Sequence, residues 1–258
     1  MGTLPALRQI VLLTGDLSAA LAETKAFLGL RTGIRDEAGM AALGFEHEVL
    51  AINDTFVEIV APLSPDSSPG RLLARRGEGG YMVVLQVADV DAMVDRASGI
   101  GLSPILREVF EGNPMTQWHP RDLGTLAEID EMRVAEWHFG TALSDTGCTE
   151  VVEDIISAVL AVPDPVEYAR RWATLLGIQL PSGRAQPEPL FGGGEHGQRS
   201  TGAATRIPLG ERELRFVPDD RAKGLCAVTL AASHPHPPAA PPRATICGVE
   251  FSIVTGSG

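Results

Sequence analysis

Two glutamates interrupt stretches that otherwise read as apolar strands. Glu58 lies in Phe56-Val57-Glu58-Ile59-Val60 and Glu128 in Thr125-Leu126-Ala127-Glu128-Ile129. Alternation along a strand gives Glu58 the face of Phe56 and Val60, and Glu128 that of Leu126 and Asp130. A carboxylate on the concave side of a curled sheet is costly unless it is paired, protonated or bound to a cation. Burial also raises its pKa toward the range useful to a general base. With no cation between them, two neighbouring carboxylates repel and one stays protonated, which suits a single acid–base residue.

Other side chains fall into weaker patterns. His47, between Glu46 and Glu48, reads either as an exposed loop histidine or as a proton carrier near a cleft mouth. His119 opens a His-Pro turn entering a strand, with a capping or a catalytic reading open to it. His138 sits beside Trp137 and reads as packing, while His196, His234 and His236 fall in loops. Arg71, Arg75 and Arg76 follow Pro69-Gly70 and form either a solvated helix face or a contact for a substrate phosphate or carboxylate. Tyr81 and Met82 are expected on opposite sides of one strand.

The elements that must position these residues recur along the chain. Short apolar runs start at Gln9, Met82, Ser157 and, more weakly, Cys226, 73, 75 and 69 residues apart. The first three end on Asp16, Asp89 and Asp164, residues suited to cap a helix, and helical spacing of apolar residues follows each one. Gly29, Gly99 and Gly177 mark the stops, and Pro165 fits a first helical turn. Strand-like segments at 48–53, 55–61, 115–118 and 125–129 complete units that read β-α-β-β-β. The fourth unit has no room for a full helix before its proline run at 235–238. The division expected is an N-terminal domain at 5–139 holding the candidate cleft, a linker at 140–152, and a degenerate second domain at 153–258.

Composition excludes several classes. A chain that is 44% hydrophobic and 21% charged is globular rather than disordered. With 21 basic and 33 acidic residues its net charge is −12, which argues against nucleic acid and against an anionic membrane surface as partners. Cys148, Cys226 and Cys247 leave one cysteine unpaired under any pairing and form no CxxC, so a reducing cytoplasm is expected. No signal peptide and no apolar span of membrane length is read.

At this level of detail the chain resembles the vicinal oxygen chelate superfamily, which includes glyoxalase I, bleomycin-resistance proteins, extradiol dioxygenases and methylmalonyl-CoA epimerase. The 9–16 strand with its helix ending Phe27-Leu28-Gly29-Leu30 looks like the family's opening. The segments 58–67, 75–79 and His119-Pro120-Arg121-Asp122-Leu123-Gly124-Thr125-Leu126 are similar to methylmalonyl-CoA epimerase and related bacterial proteins. The likeness covers about 7–130 well and becomes diffuse over 153–258. It implies an α+β fold of tandem βαβββ modules, two module pairs in one chain, each pair curling around a cleft.

The resemblance also implies where the ligands sit: at the start of the first strand and the middle of the last in each module, hence Gln9, Glu58, Met82 and Glu128. In the second half the matching positions are Ser157, Cys226, Arg215 and Phe251. The family's usual histidine is replaced by Met82, a soft thioether unsuited to Zn²⁺, Mg²⁺, Mn²⁺ or Fe²⁺. The cofactor expected is therefore none, or a divalent metal on Gln9, Glu58 and Glu128. Glu128, Glu58 and His119 are the catalytic candidates, and Met82, Gln9, His47, Phe56 and Trp118 are the candidates for substrate contact. The function expected is isomerase, epimerase or lyase chemistry on a small carbonyl or acyl compound. The alternatives are a non-catalytic binding protein of the bleomycin-resistance type and, last, a metal-dependent dioxygenase. The chain is expected as a monomer or homodimer.

Overall fold

Alternation and capping account for most of the elements in the computed structural model, which describes residues 3–134, 151–180, 205–221, 224–233 and 243–255. The 140–147 stretch, Trp137, His138, Cys148, His196, His234 and His236 lie outside the described residues. The first half comprises β1 (Ala6–Leu13), α1 (Leu17–Leu28), α2 (Glu37–Ala42), β2 (Phe45–Ile52), β3 (Thr55–Pro62) and α3 (Ser68–Arg76), followed by β4 (Gly79–Gln86), α4 (Val90–Ser98), β5 (Leu106–Phe110), β6 (Asn113–Trp118), α5 (Pro120–Leu123) and β7 (Leu126–Asp130). The second half comprises β8 (Val152–Val162), α6 (Pro165–Leu176), β9 (Thr205–Leu209), β10 (Arg212–Pro218), β11 (Gly224–Ala232), β12 (Arg243–Ile246) and β13 (Val249–Val254).

The three aspartates cap as expected. Asp16 accepts from the backbone of Ala19, Asp89 from Ala92, and Asp164 from Val166 and Glu167. Gly29 and Gly177 close their helices in the left-handed region that glycine adopts without strain.

The strands form a seven-stranded sheet, β2-β3-β1-β4-β7-β6-β5, and a six-stranded sheet, β12-β13-β11-β8-β10-β9. Their centres match. β1 runs parallel to β3 and antiparallel to β4, which runs parallel to β7, while β8, β10, β11 and β13 repeat that arrangement. Among the described residues the β-α-β-β-β pattern is complete only in the second unit. In the first, the missing strand is reduced to a bridge between Ile34 and Val49. Beyond it Asp36 caps the alanine-rich α2, where helix propensity wins. Among the described residues, the fourth unit has no helix.

The convex faces of both sheets close on one core with α1, α4 and α6. Leu7, Ile10, Trp118, Trp172, Phe216 and Phe251 all belong to it. Trp172 Nε1 crosses to the Leu123 carbonyl at 2.8 Å, and Phe27 meets Phe251 edge-on. A Cβ at Gly80 would collide with the Leu225 backbone, so glycine is required where β4 meets β11. Arg212 ties the halves at one end. It donates through Nε to both Asp154 oxygens at 3.0 Å and through Nη1 to the Leu7 carbonyl at 3.1 Å, and it also pairs with Asp54.

Bulges shift the expected register. Tyr81 is the extra residue where β4 passes Val11 and Leu12, and Arg8 where β1 passes Val84 and Leu85. A bulge turns neighbouring side chains toward the same side. Tyr81 and Met82 accordingly both pack on the concave cluster, not on opposite faces. In β11 the extra residue is Cys226, so Ala227 opposite Val159 takes the place that Met82 takes opposite Val11. Ser252, opposite Thr229, corresponds to Glu128, and Phe251 is a core residue instead.

Candidate active site

The face of the first sheet turned away from the shared core carries the candidate residues. Register sets Glu58 beside Val11, Val11 beside Met82, and Val84 beside Glu128. Val11, Met82 and Val84, together with the Gln9 side chain opposite Val84, therefore lie between the two carboxylates, with Met82 half-buried. Met40 from α2 and Leu72 and Leu73 from α3 pack at the same apolar cluster.

Glu58 is buried and both of its oxygens are engaged. Gln9 donates through Nε2 to Oε2 at 2.7 Å. His47 Nδ1 lies 2.6 Å from Oε1, while His47 Nε2 accepts the backbone N–H of Asp36 at 2.8 Å. Because Nε2 accepts, the ring proton sits on Nδ1 and points at Glu58, a neutral imidazole serving a charged carboxylate. His47 is thus a buried strand residue of the cleft, not a loop histidine.

Glu128 stands on the opposite bank, half-buried, and accepts from Gln117 Nε2 at 2.8 Å. Burial pushes its pKa up to about 7; the Gln117 bond opposes the rise, and the charges of Glu58 and Glu108 add to it. Two residues on, Asp130 is pushed up to about 9 by burial and by Glu128. Its Oδ1 is buried with no hydrogen-bond partner. The Tyr81 hydroxyl is pushed upward too, by burial and then by the charges of Glu58 and Glu128, and its ring edge rests on Phe45.

The remaining candidates divide. Phe56 shares the Glu58 face and is fully buried against Val49 and Ala51. With Arg8 and Gln86 it also lines a cavity of about 1280 Å³ that extends between the two halves to Arg212 and Asp154. Trp118, expected at the substrate, points instead into the core, where its Nε1 donates to Thr116 Oγ1 at 3.0 Å. His119, expected as catalytic, caps α5: its Nδ1 accepts the Arg121 backbone N–H at 3.0 Å. Gln117 and Asp130 were missed as site residues, although the period-2 pattern places Asp130 beside Glu128.

A divalent metal does not fit this donor set. Both Glu58 oxygens already hold N–H donors, and Gln9 turns its amide nitrogen, not its oxygen, toward Glu58. Met82 adds only a thioether. Among the described residues no three His, Cys, Asp or Glu side chains gather as a metal site.

No family model matches the sequence, and no curated protein matches it. Solved structures do. A hypothetical protein from Staphylococcus aureus aligns over 98% of this chain and 100% of its own, with TM-score 0.65 and 9% identity. The methylmalonyl-CoA epimerase of Mycobacterium tuberculosis covers 52% of this chain and 94% of its own at 22% identity and TM-score 0.45. A Streptomyces coelicolor methylmalonyl-CoA epimerase covers 51% and 100% at 25% identity and TM-score 0.45. The architecture matches the glyoxalase-like fold, and the similar structures include methylmalonyl-CoA epimerases. Among the described residues no helix is long and apolar enough to cross a membrane.

Proposed function

We propose that the chain is a glyoxalase-like enzyme that moves a proton next to the carbonyl of a small carbonyl or acyl compound, with isomerase, epimerase or lyase outcome and no metal. The observation that carries this reading is Glu128, a carboxyl brought to about 7 on a half-open face, opposite a second carboxylate across an apolar strip. A base with a pKa near the working pH combines a useful ionised fraction with real proton affinity. Glu128 removes the proton, and Glu58, charged and fixed by His47 and Gln9, is the carboxylate on the other bank. Val11, Met82 and Val84 keep the intervening surface dry, which strengthens each electrostatic contact there.

The test is loss of α-protons in D₂O, followed by proton NMR, for a panel of acyl thioesters and α-hydroxyketones. Glu128→Gln should abolish exchange with the fold intact; unchanged exchange removes Glu128 from the mechanism. The apolar floor made by Met82 favours a second reading, ligand sequestration without turnover. In that case Glu128→Gln should leave affinity within about threefold, and Met82→Glu should weaken it sharply, because it buries a third carboxylate. The dioxygenase reading comes last, since Gln9 and Met82 stand at the two positions where it needs histidine.

A further inference from the structure

Proton removal beside a carbonyl leaves negative charge on the carbonyl oxygen, and a metal-free site must supply a donor there. Among the described residues of the face that carries Glu128, one buried side-chain polar atom has no hydrogen-bond partner. Asp130 Oδ1 is buried and without a partner, on the same face as Glu128 and two residues along β7. An orphaned buried oxygen is destabilising, so it calls for a reason.

The position is also rigid. β7 is flanked by β4 and β6, with Asp130 opposite Gln86 on one side and Met115 on the other. The Asp130 carbonyl accepts from Val87 at 2.8 Å, and the next residue, Glu131, donates to Pro114 at 2.9 Å. Arg8, which reaches Gln86 opposite Asp130, donates to Gln86 and gives its charge to Asp54.

We infer that Asp130 is a substrate-contacting residue whose carboxyl hydrogen-bonds the carbonyl oxygen of a compound with its neighbouring C–H against Glu128. This rests on the proton-transfer reading above. In the step, the C–H bond breaks and the proton forms an O–H bond on Glu128. The released pair becomes the C=C bond, and the carbonyl π pair moves onto oxygen. The Asp130 O–H stays intact and stabilises that oxygen, and the reverse transfer restores the carbonyl. Burial pushes both carboxyls upward and the Glu128 charge adds to the rise at Asp130, so the pair favours one neutral, donating carboxyl beside one that exchanges the proton.

The experiment compares α-proton exchange of the same thioester and hydroxyketone panel by wild type, Asp130→Ala and Asp130→Asn. Asp130→Ala should lose about 100-fold or more, the usual effect of removing an oxyanion donor. Asp130→Asn keeps an N–H donor of similar shape, so it should stay within about tenfold and also shows that the fold tolerates the site. Exchange by Asp130→Ala at the wild-type rate, or equal losses in both variants, overturns the assignment. If wild type exchanges no probe, the proton-transfer reading falls. Asp130 is then judged by its side-chain carboxyl ¹³C shift: an acid form at pH 7 supports the donor, and an ionised carboxylate overturns it.

Discussion

His47 and Glu58, eleven residues apart, meet across adjacent strands at 2.6 Å, and the histidine's second nitrogen accepts the Asp36 backbone N–H. One neutral ring thereby joins the cleft carboxylate to the N-cap of α2, whose Met40 packs on the cleft cluster. The pairing explains how a glutamate with very little exposure remains tolerable inside an apolar sheet: its two oxygens accept one donor each.

His47→Ala removes the donor from Glu58 and the acceptor from Asp36 together. Only Glu58 is a buried group left short of a donor, since Asp36 is exposed and its N–H can turn to water, so we expect a cost of about 2 kcal/mol. Urea unfolding checks this; a change below about 1 kcal/mol would mean that Glu58 does not depend on the imidazole.

Stability should also depend on pH in a definite direction. Asp130 and Glu128 have folded pKa values of about 9 and about 7, above their reference values of 3.8 and 4.5. The native state therefore holds extra protons between those limits, and the stability they contribute is full below about pH 4 and lost as pH rises through about 7 and then 9. Glu48 and Asp54 shift the other way: burial pushes upward, but Lys25 and Arg35 for one, and Arg212 and Arg8 for the other, outweigh it. Their contribution is lost as pH falls below about 4. Urea midpoints at pH 5, 7 and 9 should fall in that order, and Asp130→Asn should flatten the fall above pH 7. A midpoint that rises from pH 7 to 9 would contradict the burial of Asp130.

Much of this was legible before the fold was seen. The three capping aspartates, the strand pair around Glu58 and the face shared by Glu128 and Asp130 all follow from period and cap chemistry. His47 was not legible, because Glu46 and Glu48 on either side hide the strand that begins at Phe45. Glu48 is in fact buried, neutralised by Lys25 and Arg35, partners that only tertiary structure brings to it. The bulges defeated alternation in a different way. One extra residue at Tyr81 and one at Cys226 moved a side chain to the other face, and no composition signal marks either position.

Arg212 offers a test of the contact between halves. It is largely buried and serves Asp54, Asp154 and the Leu7 carbonyl at once. Arg212→Met keeps the apolar stem but leaves Asp154 without its cation, while the half-exposed Asp54 keeps Arg8, so the loss should be about 2 kcal/mol, below the cost of breaking a fully buried ion pair from one side. Adding Asp54→Asn and Asp154→Asn should recover part of it by removing the stranded charges. No recovery would mean that the arginine acts through packing alone.

The donor geometry around Glu58 makes a definite statement about metals. A divalent cation would have to displace the His47 N–H and the Gln9 amide from Glu58 and accept a thioether from Met82, exchanging two made hydrogen bonds for a poor ligand set. Protein incubated with Mg²⁺, Mn²⁺, Fe²⁺, Ni²⁺ or Zn²⁺ and then dialysed should retain well under one equivalent by elemental analysis, with an unchanged melting temperature. Met82→His alone should not create a site, because Glu58 stays occupied. Met82→His combined with His47→Phe frees one Glu58 oxygen and should raise Zn²⁺ retention. About one equivalent on the wild-type chain, lost in Glu58→Gln or Glu128→Gln, would show that the cleft rearranges to hold a metal and would reopen metal-assisted chemistry.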